Sequence, residues 1–153
     1  MIEANPHLSV EVDCADGTTM GLYVARPSGP AKAGVVVLQE IWGVNHHIRS
    51  VADRVAALGY LAVAPDVFHR SAPGYQNTYD NKNGFAHVQA MTAEGAGADL
   101  RAAHAYLASQ LPAGAPTAAL GFCMGGRMAF MANGFLPLTC AVAFYGGGIA
   151  SVL

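Results

Sequence analysis

The segment that most constrains the fold of this chain is Gly121-Phe122-Cys123-Met124-Gly125-Gly126, which comes after an apolar run and opens a helical pattern. In a G-x-S-x-G nucleophile elbow, the nucleophile lies on a sharp turn between a strand and a helix. The flanking glycines remove Cβ atoms that would collide there. Cys123 takes the serine position between Gly121 and Gly125. The segment alone fits equally well a small buried cysteine before a helix, because short motifs need supporting context.

A second segment upstream provides that context. Residues 33–40 are typical of a buried strand of β-branched residues with a polar end, and residues 41–47 come next as a loop. Around a nucleophile elbow, one oxyanion N–H comes from the residue after the nucleophile and the other from the loop after such a strand. Here those donors would be the amides of Met124 and Ile41. The helix N-terminus at Cys123 favours a thiolate and any oxyanion formed by its attack.

Several separated motifs together carry a family resemblance that covers nearly the whole chain. They are Q-E-I-W-G-V-N at 39–45, A-P-D-V-F-H-R at 64–70, G-F-C-M-G-G-R at 121–127 and A-V-A-F-Y-G-G-G at 141–148. In order and spacing they closely resemble the dienelactone hydrolase family. The resemblance implies an α/β-hydrolase fold, with a mostly parallel sheet and helices on both faces. It also implies a cysteine hydrolase of cyclic enol esters or related esters and lactones, without a cofactor. It matches Cys123 to the family nucleophile and Glu40 to the glutamate that contacts the resting thiol.

The chain departs from the family on the C-terminal side of the nucleophile. The aspartate and histidine that complete the family triad lie beyond the point at which this sequence stops, Leu153. We therefore expect a single domain, 1–153, truncated at its C-terminus and lacking the last strands and helices, with little or no turnover by itself. The family binds the substrate carboxylate with arginines, whereas Lys82 is the cation here and has no bidentate fork. Phe144 stands where the family often has tyrosine.

Four further polar candidates each have a second, structural interpretation. Glu40 either contacts the thiol or is a solvated residue at a strand end. Asp66 either orients a base or, coming after a proline, stabilises a turn through its own backbone, which we favour. His46 and His47 either contact substrate or are solvated at a helix start, also favoured, because adjacent helical residues do not face the same way.

The sequence also leaves alternatives for the residues that contact substrate. Arg127, one turn after the nucleophile, either binds a substrate carboxylate or pairs with a nearby acid. Trp42 and Tyr145 are further candidates for binding substrate. Four aromatic residues, some of which simply cover the core, are candidates for lining a pocket: Trp42, Phe68, Tyr75 and Tyr79.

Strands and helices alternate along the chain, which predicts a mostly parallel sheet with right-handed crossovers. We expect a hairpin (8–13 and 20–26), strands at 33–40, 60–64, 117–122 and 139–145, and helices at 46–58, 84–111 and 124–133. Ligands of such sheets bind at the carboxyl ends of the strands. Glu40, Asp66, Cys123 and Tyr145 all fall there.

Composition excludes several functions. With 153 residues, 53% hydrophobic and 12% charged, the chain is long enough for one domain with a sizeable core. A net charge of −2 favours neither nucleic acid nor an anionic membrane, and no apolar run is long enough for a membrane span. The six histidines lack metal-binding spacing, so no metal is expected.

The three cysteines predict a reducing, cytoplasmic setting, because their number is odd and they form no C-x-x-C pair. We expect Cys123 to be the most reactive thiol, with Cys14 in an edge hairpin and Cys140 in a buried strand. The charge of Glu40 disfavours the thiolate until substrate binds. The last strand is expected to form an uncovered sheet edge that promotes self-association.

Three functional classes are compatible with these residues. The first is a thiol hydrolase, in which Cys123 attacks a small-molecule ester or lactone and the Ile41 and Met124 amides hold the oxyanion. The second is a catalytically inactive fragment or ligand-binding module with the same fold. The third, a redox or nucleotide-binding domain, has least support because no G-x-G-x-x-G, Walker sequence or resolving cysteine is present.

Overall fold

The computed structural model describes residues 7–81 and 83–151 of the chain. Within these ranges lie six strands, four α-helices and a final 3-10 turn. They are β1 (Val10–Asp13), β2 (Thr19–Ala25), β3 (Gly34–Leu38), α1 (His46–Ala57), β4 (Leu61–Pro65), α2 (Gly84–Ala90), α3 (Ala93–Ser109), β5 (Thr117–Phe122), α4 (Met124–Ala132), β6 (Cys140–Phe144) and the turn Ile149–Ser151.

The six strands form one sheet in the order β1-β2-β4-β3-β5-β6. The β1–β2 hairpin is antiparallel and continues antiparallel onto β4. β4, β3, β5 and β6 run parallel. Their carboxyl ends therefore meet at one edge of the sheet, as the alternating pattern predicts. The α/β fold expected from the sequence is confirmed.

Helices cover both faces of this sheet. On one face α1 buries Ile48, Val51, Ala52 and Ala56. On the other, α3 and α4 bury a second apolar cluster that includes Leu107. All five residues of β4 are buried, because a central strand covered on both faces has no solvent side. In the described ranges, no helix has the length and apolar character needed to cross a membrane.

The prediction of a single helix over 84–111 is wrong, because the helical backbone is interrupted between α2 and α3. Thr92 adopts an extended backbone (φ −109°, ψ 154°), and its side chain accepts a hydrogen bond from the Gly95 amide. Threonine favours this N-cap geometry over a helix interior. Met91 is likewise extended. A new helix therefore begins at Ala93.

The environment predicted for Cys140 is also corrected. Cys140, expected in a buried strand, is exposed. The reason is that β6 is the last strand of the described sheet and leaves Val142 and Phe144 44% and 47% exposed. Among the described residues, the uncovered apolar edge expected at the last strand is thus present. Cys14 lies in the edge hairpin as predicted, and its side chain is buried.

Candidate active site

The turn between β5 and α4 has the geometry expected of an elbow. Cys123 is the N-cap of α4, with φ 55° and ψ −123°. A residue other than glycine rarely adopts positive φ, and such strain is typical of functional turns. The Cys123 amide is held by the Phe144 carbonyl at 3.0 Å. The strand, sharp turn and helix predicted around Cys123 are confirmed.

Two glycines allow the elbow to pack closely. A Cβ atom on Gly121 would lie 1.9 Å from the Gly125 carbonyl oxygen. A Cβ on Gly125 would lie 2.4 Å from the Leu38 oxygen and 2.5 Å from the Gln39 oxygen. The first turn of α4 therefore rests directly on the end of β3. This contact fixes the elbow against the peptide that leads into Glu40.

The two predicted oxyanion donors lie on either side of this contact. Met124 opens α4, and Ile41 comes after Glu40 in a buried position. Neither amide donates a hydrogen bond to another described residue. A Cβ on Gly84 would lie 1.8 Å from the Ile41 oxygen, so the start of α2 packs on the Ile41 carbonyl. Both amides remain available to a ligand oxygen, and their role stays a prediction.

Glu40 is buried at this edge with two neutral donors. Tyr79 donates its hydroxyl to Oε2 at 2.6 Å and Tyr145 donates to Oε1 at 3.2 Å. In the described part of the chain, no hydrogen bond joins Glu40 to the Cys123 thiol, in contrast to the contact expected from the resemblance. Burial, the charge and hydrogen bond of Glu40, and the nearby Cys123 raise the pKa of Tyr145. Tyr145 is therefore close to both groups.

Aromatic rings form a wall beside this carboxylate. The Trp42 and Tyr79 rings meet edge to face with centroids 4.4 Å apart. His47 packs against Tyr79 at 6.2 Å and against Phe122 at 5.9 Å, whereas His46 is exposed. A cleft of about 440 Å³ opens next to the wall, lined by Asn45, His46, His47, Arg49, Gln76, Asn77, Thr78 and Tyr79.

Arg127 and Lys82 are the two cationic candidates for binding substrate. Arg127 is exposed on α4 and makes no ion pair with an acid in the described ranges. Its guanidinium lies beside the 146–148 loop, 3.4 Å from the position a Cβ would take on Gly148. Lys82 lies outside the described residues. Arg127 is therefore the described cation nearest the elbow in sequence.

Asp66 acts on its own loop. Its Oδ1 accepts from the Phe68 amide at 3.2 Å and its Oδ2 from the Gly74 amide at 2.6 Å. Burial raises its pKa to about 6, although both backbone hydrogen bonds act in the opposite direction. The turn-stabilising interpretation is confirmed. Asp66 shapes the loop that precedes Tyr79.

Sequence reasoning missed two features of the molecule. Tyr79 was a general aromatic candidate, and no pattern related its hydroxyl to a glutamate 39 positions away. Away from the elbow, Cys14, His69 and Asp99 bring potential metal-ligand atoms within 4.8 Å of one another. They come from three separate elements, so their spacing along the chain carries no signal.

Comparisons with known proteins agree with this geometry. A model of the dienelactone hydrolase family matches residues 20–152. The carboxymethylenebutenolidase of Pseudomonas putida is 32% identical over 150 residues, which cover 94% of this chain and 63% of that protein. The solved structure m3DLH has a TM-score of 0.72 at 30% identity, over 90% of this chain and 59% of that one. A dienelactone hydrolase-like promiscuous phosphotriesterase, P91, from metagenomic libraries has a TM-score of 0.66 at 30% identity, with the same coverage.

The chain is shorter than these relatives. It spans between 54% and 63% of the length of the first curated proteins that it matches.

Proposed function

Since the chain belongs to the dienelactone hydrolase family, we propose that it carries the nucleophile and the oxyanion donors of a hydrolase that cleaves small-molecule lactones or esters. The observation that supports this most is the backbone of Cys123, held at φ 55° where β5 turns into α4. Such strain persists only where surrounding structure enforces it. Here Gly121 and Gly125 permit the packing that does so.

In the proposed reaction, the Cys123 sulfur attacks the carbonyl carbon, and the carbonyl oxygen becomes an oxyanion that accepts hydrogen bonds from the Ile41 and Met124 amides. The alkoxide leaves with a proton and an acyl-thioester remains. Water then adds to the thioester carbon, and the thiol is released with a proton. Glu40 tunes the thiol through its negative charge and is not the general base.

Proton transfer requires groups that the described residues do not supply, because no described histidine hydrogen bonds to Cys123. A triad without its base retains only about 10³–10⁴-fold acceleration over water. We therefore propose that this chain alone turns over slowly or not at all, and that aspartate and histidine from a longer chain complete the site. The same observation favours the second candidate function, an inactive fragment or ligand-binding module.

Substrate would lie against the aromatic wall. Trp42 and Tyr145 flank Glu40, and the 440 Å³ cleft next to Tyr79 has room for an acyl or alcohol group. Arg127 and Lys82 are the proposed partners of a substrate carboxylate. No cofactor takes part in the proposed reaction.

We further propose a single domain over 1–153, a cytoplasmic setting with reduced thiols, and self-association through the exposed edge of β6. Exposed apolar edge residues support the last proposal. Sedimentation velocity at increasing concentration tests it. A monomer at all concentrations would contradict it.

Limiting alkylation with subsequent mass-spectrometric mapping tests the nucleophile. We expect Cys123 to be labelled before Cys140, although Cys140 is more exposed, because the α4 N-terminus favours the thiolate. Cys14 should react last, since burial and the neighbouring Asp99 raise its pKa to about 11. Earlier labelling of Cys140 or Cys14 would contradict the assignment.

Turnover separates the two candidate functions. A chromogenic ester is incubated with this chain and with a longer one that includes the next segment, and the acyl-thioester is trapped by acid quench. The hydrolase proposal predicts a thioester on Cys123 and turnover by the longer chain only. If neither chain forms a thioester, the binding-module alternative is correct.

A matched glycine pair tests the elbow geometry. Gly125→Ala would force a Cβ into the Leu38 and Gln39 carbonyls, so we expect it to destabilise the fold by about 2 kcal/mol or more and to slow Cys123 alkylation. Gly97→Ala in α3 meets open space and should stabilise by up to about 1 kcal/mol. Urea unfolding compares the two. Equal effects would show that the elbow has no steric demand.

A further inference from the structure

A second cluster of reactive groups lies away from the elbow, where the β1–β2 hairpin meets α3. It comprises Cys14, Asp16, His69, Arg70 and Asp99, which we call the Cys14 cluster. Cys14, His69 and Asp99 are 5%, 6% and 0% exposed. The proposed hydrolysis uses none of these residues. Burying so many polar side chains is costly unless they are paired or bind a cation.

Three groups converge on one oxygen of this cluster. Asp99 Oδ1 lies 3.5 Å from Cys14 Sγ, 3.0 Å from His69 Nε2 and 2.9 Å from Arg70 Nη2. A carboxylate oxygen offers two lone-pair positions, so three donors exceed its capacity. The thiol and the imidazole are also ligand groups that zinc prefers. Both are therefore better placed as ligands than as donors to one atom.

We propose that Cys14, His69 and Asp99 form a binding site for a zinc-like divalent cation, with a water molecule as the fourth ligand. Ligands about 2.0 to 2.3 Å from a tetrahedral zinc ion stand roughly 3.3 to 3.6 Å apart. The distance of 3.5 Å between Cys14 Sγ and Asp99 Oδ1 agrees with this spacing between ligands. The distance of 3.0 Å between His69 Nε2 and Asp99 Oδ1 needs to lengthen by only a few tenths of an ångström. All three ligand atoms lie within 4.8 Å of one another.

Charge favours a divalent cation at this position. The two aspartates and the one arginine of the cluster carry formal charges that sum to −1. Zinc adds two positive charges, and the Cys14 thiol loses its proton to solvent when the zinc–sulfur bond forms, so the sum becomes zero.

Arg70 contacts both oxygens of Asp99, so the cation would have to replace its Nη2 at Oδ1, where the two atoms lie 2.9 Å apart. The second bond, from Nη1 to Oδ2 at 2.9 Å, would still hold the carboxylate in place. The same guanidinium donates to Asp16 Oδ2 through Nε at 2.8 Å. Outer hydrogen bonds of this kind commonly hold ligating carboxylates in place. The side chains of Arg70 and Asp16 are 30% and 33% exposed, so the site lies one layer below the surface.

Cobalt substitution tests the site on the 153-residue chain. After treatment with EDTA, one equivalent of Co²⁺ should produce a thiolate-to-cobalt charge-transfer band in the near ultraviolet, and zinc should then remove it by displacement. Cys14→Ser should abolish the band, whereas Cys140→Ser and Cys123→Ser should retain it. No band in the wild-type protein would overturn the proposal. So would a band that survives Cys14→Ser or is lost in Cys123→Ser.

Two further measurements test the site if the Cys14→Ser variant fails to fold. His69→Gln should weaken cobalt affinity at least tenfold while its far-ultraviolet circular dichroism remains that of the wild type. Zinc should also raise the Tm of the wild-type protein and of Cys140→Ser in a concentration-dependent way. Unchanged affinity in His69→Gln, or a wild-type Tm that does not respond to zinc, would overturn the proposal.

Discussion

Glu40 and Asp99 are both buried carboxylates on this α/β frame, and their partners differ in charge. Glu40 receives two phenol hydroxyls, from Tyr79 and Tyr145. Asp99 receives the guanidinium of Arg70 on both of its oxygens. Neutral donors satisfy hydrogen-bonding capacity but leave the negative charge of Glu40 in place. A cationic partner offsets the charge of Asp99, although Arg70 shares its own charge between Asp99 and Asp16.

The difference separates a carboxylate that acts on its neighbours from one that holds the fold together. In the proposed mechanism, the uncompensated charge of Glu40 disfavours the Cys123 thiolate. A compensated one links the hairpin, the loop after β4 and α3. Asp66 is a third case, because two backbone amides are its donors and burial raises its pKa to about 6. The three sites rank by how well the buried charge is compensated.

The largest expected effect is a loss of stability, seen when each buried carboxylate is replaced separately by its isosteric amide, at Asp99 and at Glu40. Asp99→Asn leaves the Arg70 charge without its buried partner, so we expect a loss of about 3 kcal/mol in the free energy of unfolding. Glu40→Gln should change it by less than about 1 kcal/mol, because a phenol hydroxyl can donate to the amide oxygen or accept from the amide nitrogen. Urea unfolding measures both. Similar losses in the two variants would remove the distinction.

Asp66 should give a pH dependence on the order of 2 kcal/mol. Its folded-state pKa of about 6 exceeds the ordinary value of 3.8, so the folded protein binds the proton more tightly. The stabilisation of the folded state by this proton is complete below pH 4 and is lost as the pH rises through 6. Asp66→Asn should remove this decline.

Urea unfolding at pH 4.5 and pH 7 compares the wild type with Asp66→Asn. Asp16, whose pKa its hydrogen bonds to Thr18 lower to about 2, acts in the opposite direction and only at lower pH, so it leaves this window clear. Parallel pH profiles of wild type and variant would contradict the assignment.

The sequence predicted the strand, turn and helix around Cys123 well, because that geometry is local. Gly121 and Gly125 flank the nucleophile directly, and the packing they allow needs no distant residue apart from the end of β3. The partners of Glu40 and Asp99 could not be predicted in this way. Tyr145 lies 105 positions from Glu40, and Cys14 lies 85 from Asp99. Only the packed fold brings them together.

The prediction of secondary structure failed where a side chain formed a hydrogen bond that competes with those of the helix backbone. Thr92 interrupts an otherwise helical pattern by capping α3, and propensity alone does not locate a cap within a long helical stretch. The prediction that Cys140 is buried failed for a different reason. An apolar strand pattern indicates which residues suit a sheet, but not whether another layer covers it.

Glu40→Gln should also alter thiol reactivity. Removing a negative charge near Cys123 favours the thiolate, so alkylation at neutral pH should accelerate up to about tenfold and the rate profile should move to lower pH. Iodoacetamide kinetics with mass-spectrometric readout measure this. Glu94→Gln, an exposed change in the first turn of α3, is the matched control. An unchanged Cys123 profile in Glu40→Gln would mean that the carboxylate has no influence on the thiol.

The smallest expected effect comes from the neutral donors themselves. Tyr79→Phe removes a 2.6 Å hydrogen bond to Glu40 and should cost about 1 kcal/mol in unfolding free energy, whereas Tyr145→Phe removes a longer one of 3.2 Å and should cost about half of that. Both residues are more than half exposed, so solvent replaces part of each interaction. Tyr60→Phe, whose hydroxyl bonds to no described residue, is the control. If either change cost as much as Asp99→Asn, neutral and cationic partners would stabilise a buried carboxylate equally, and the contrast between the two sites would fail.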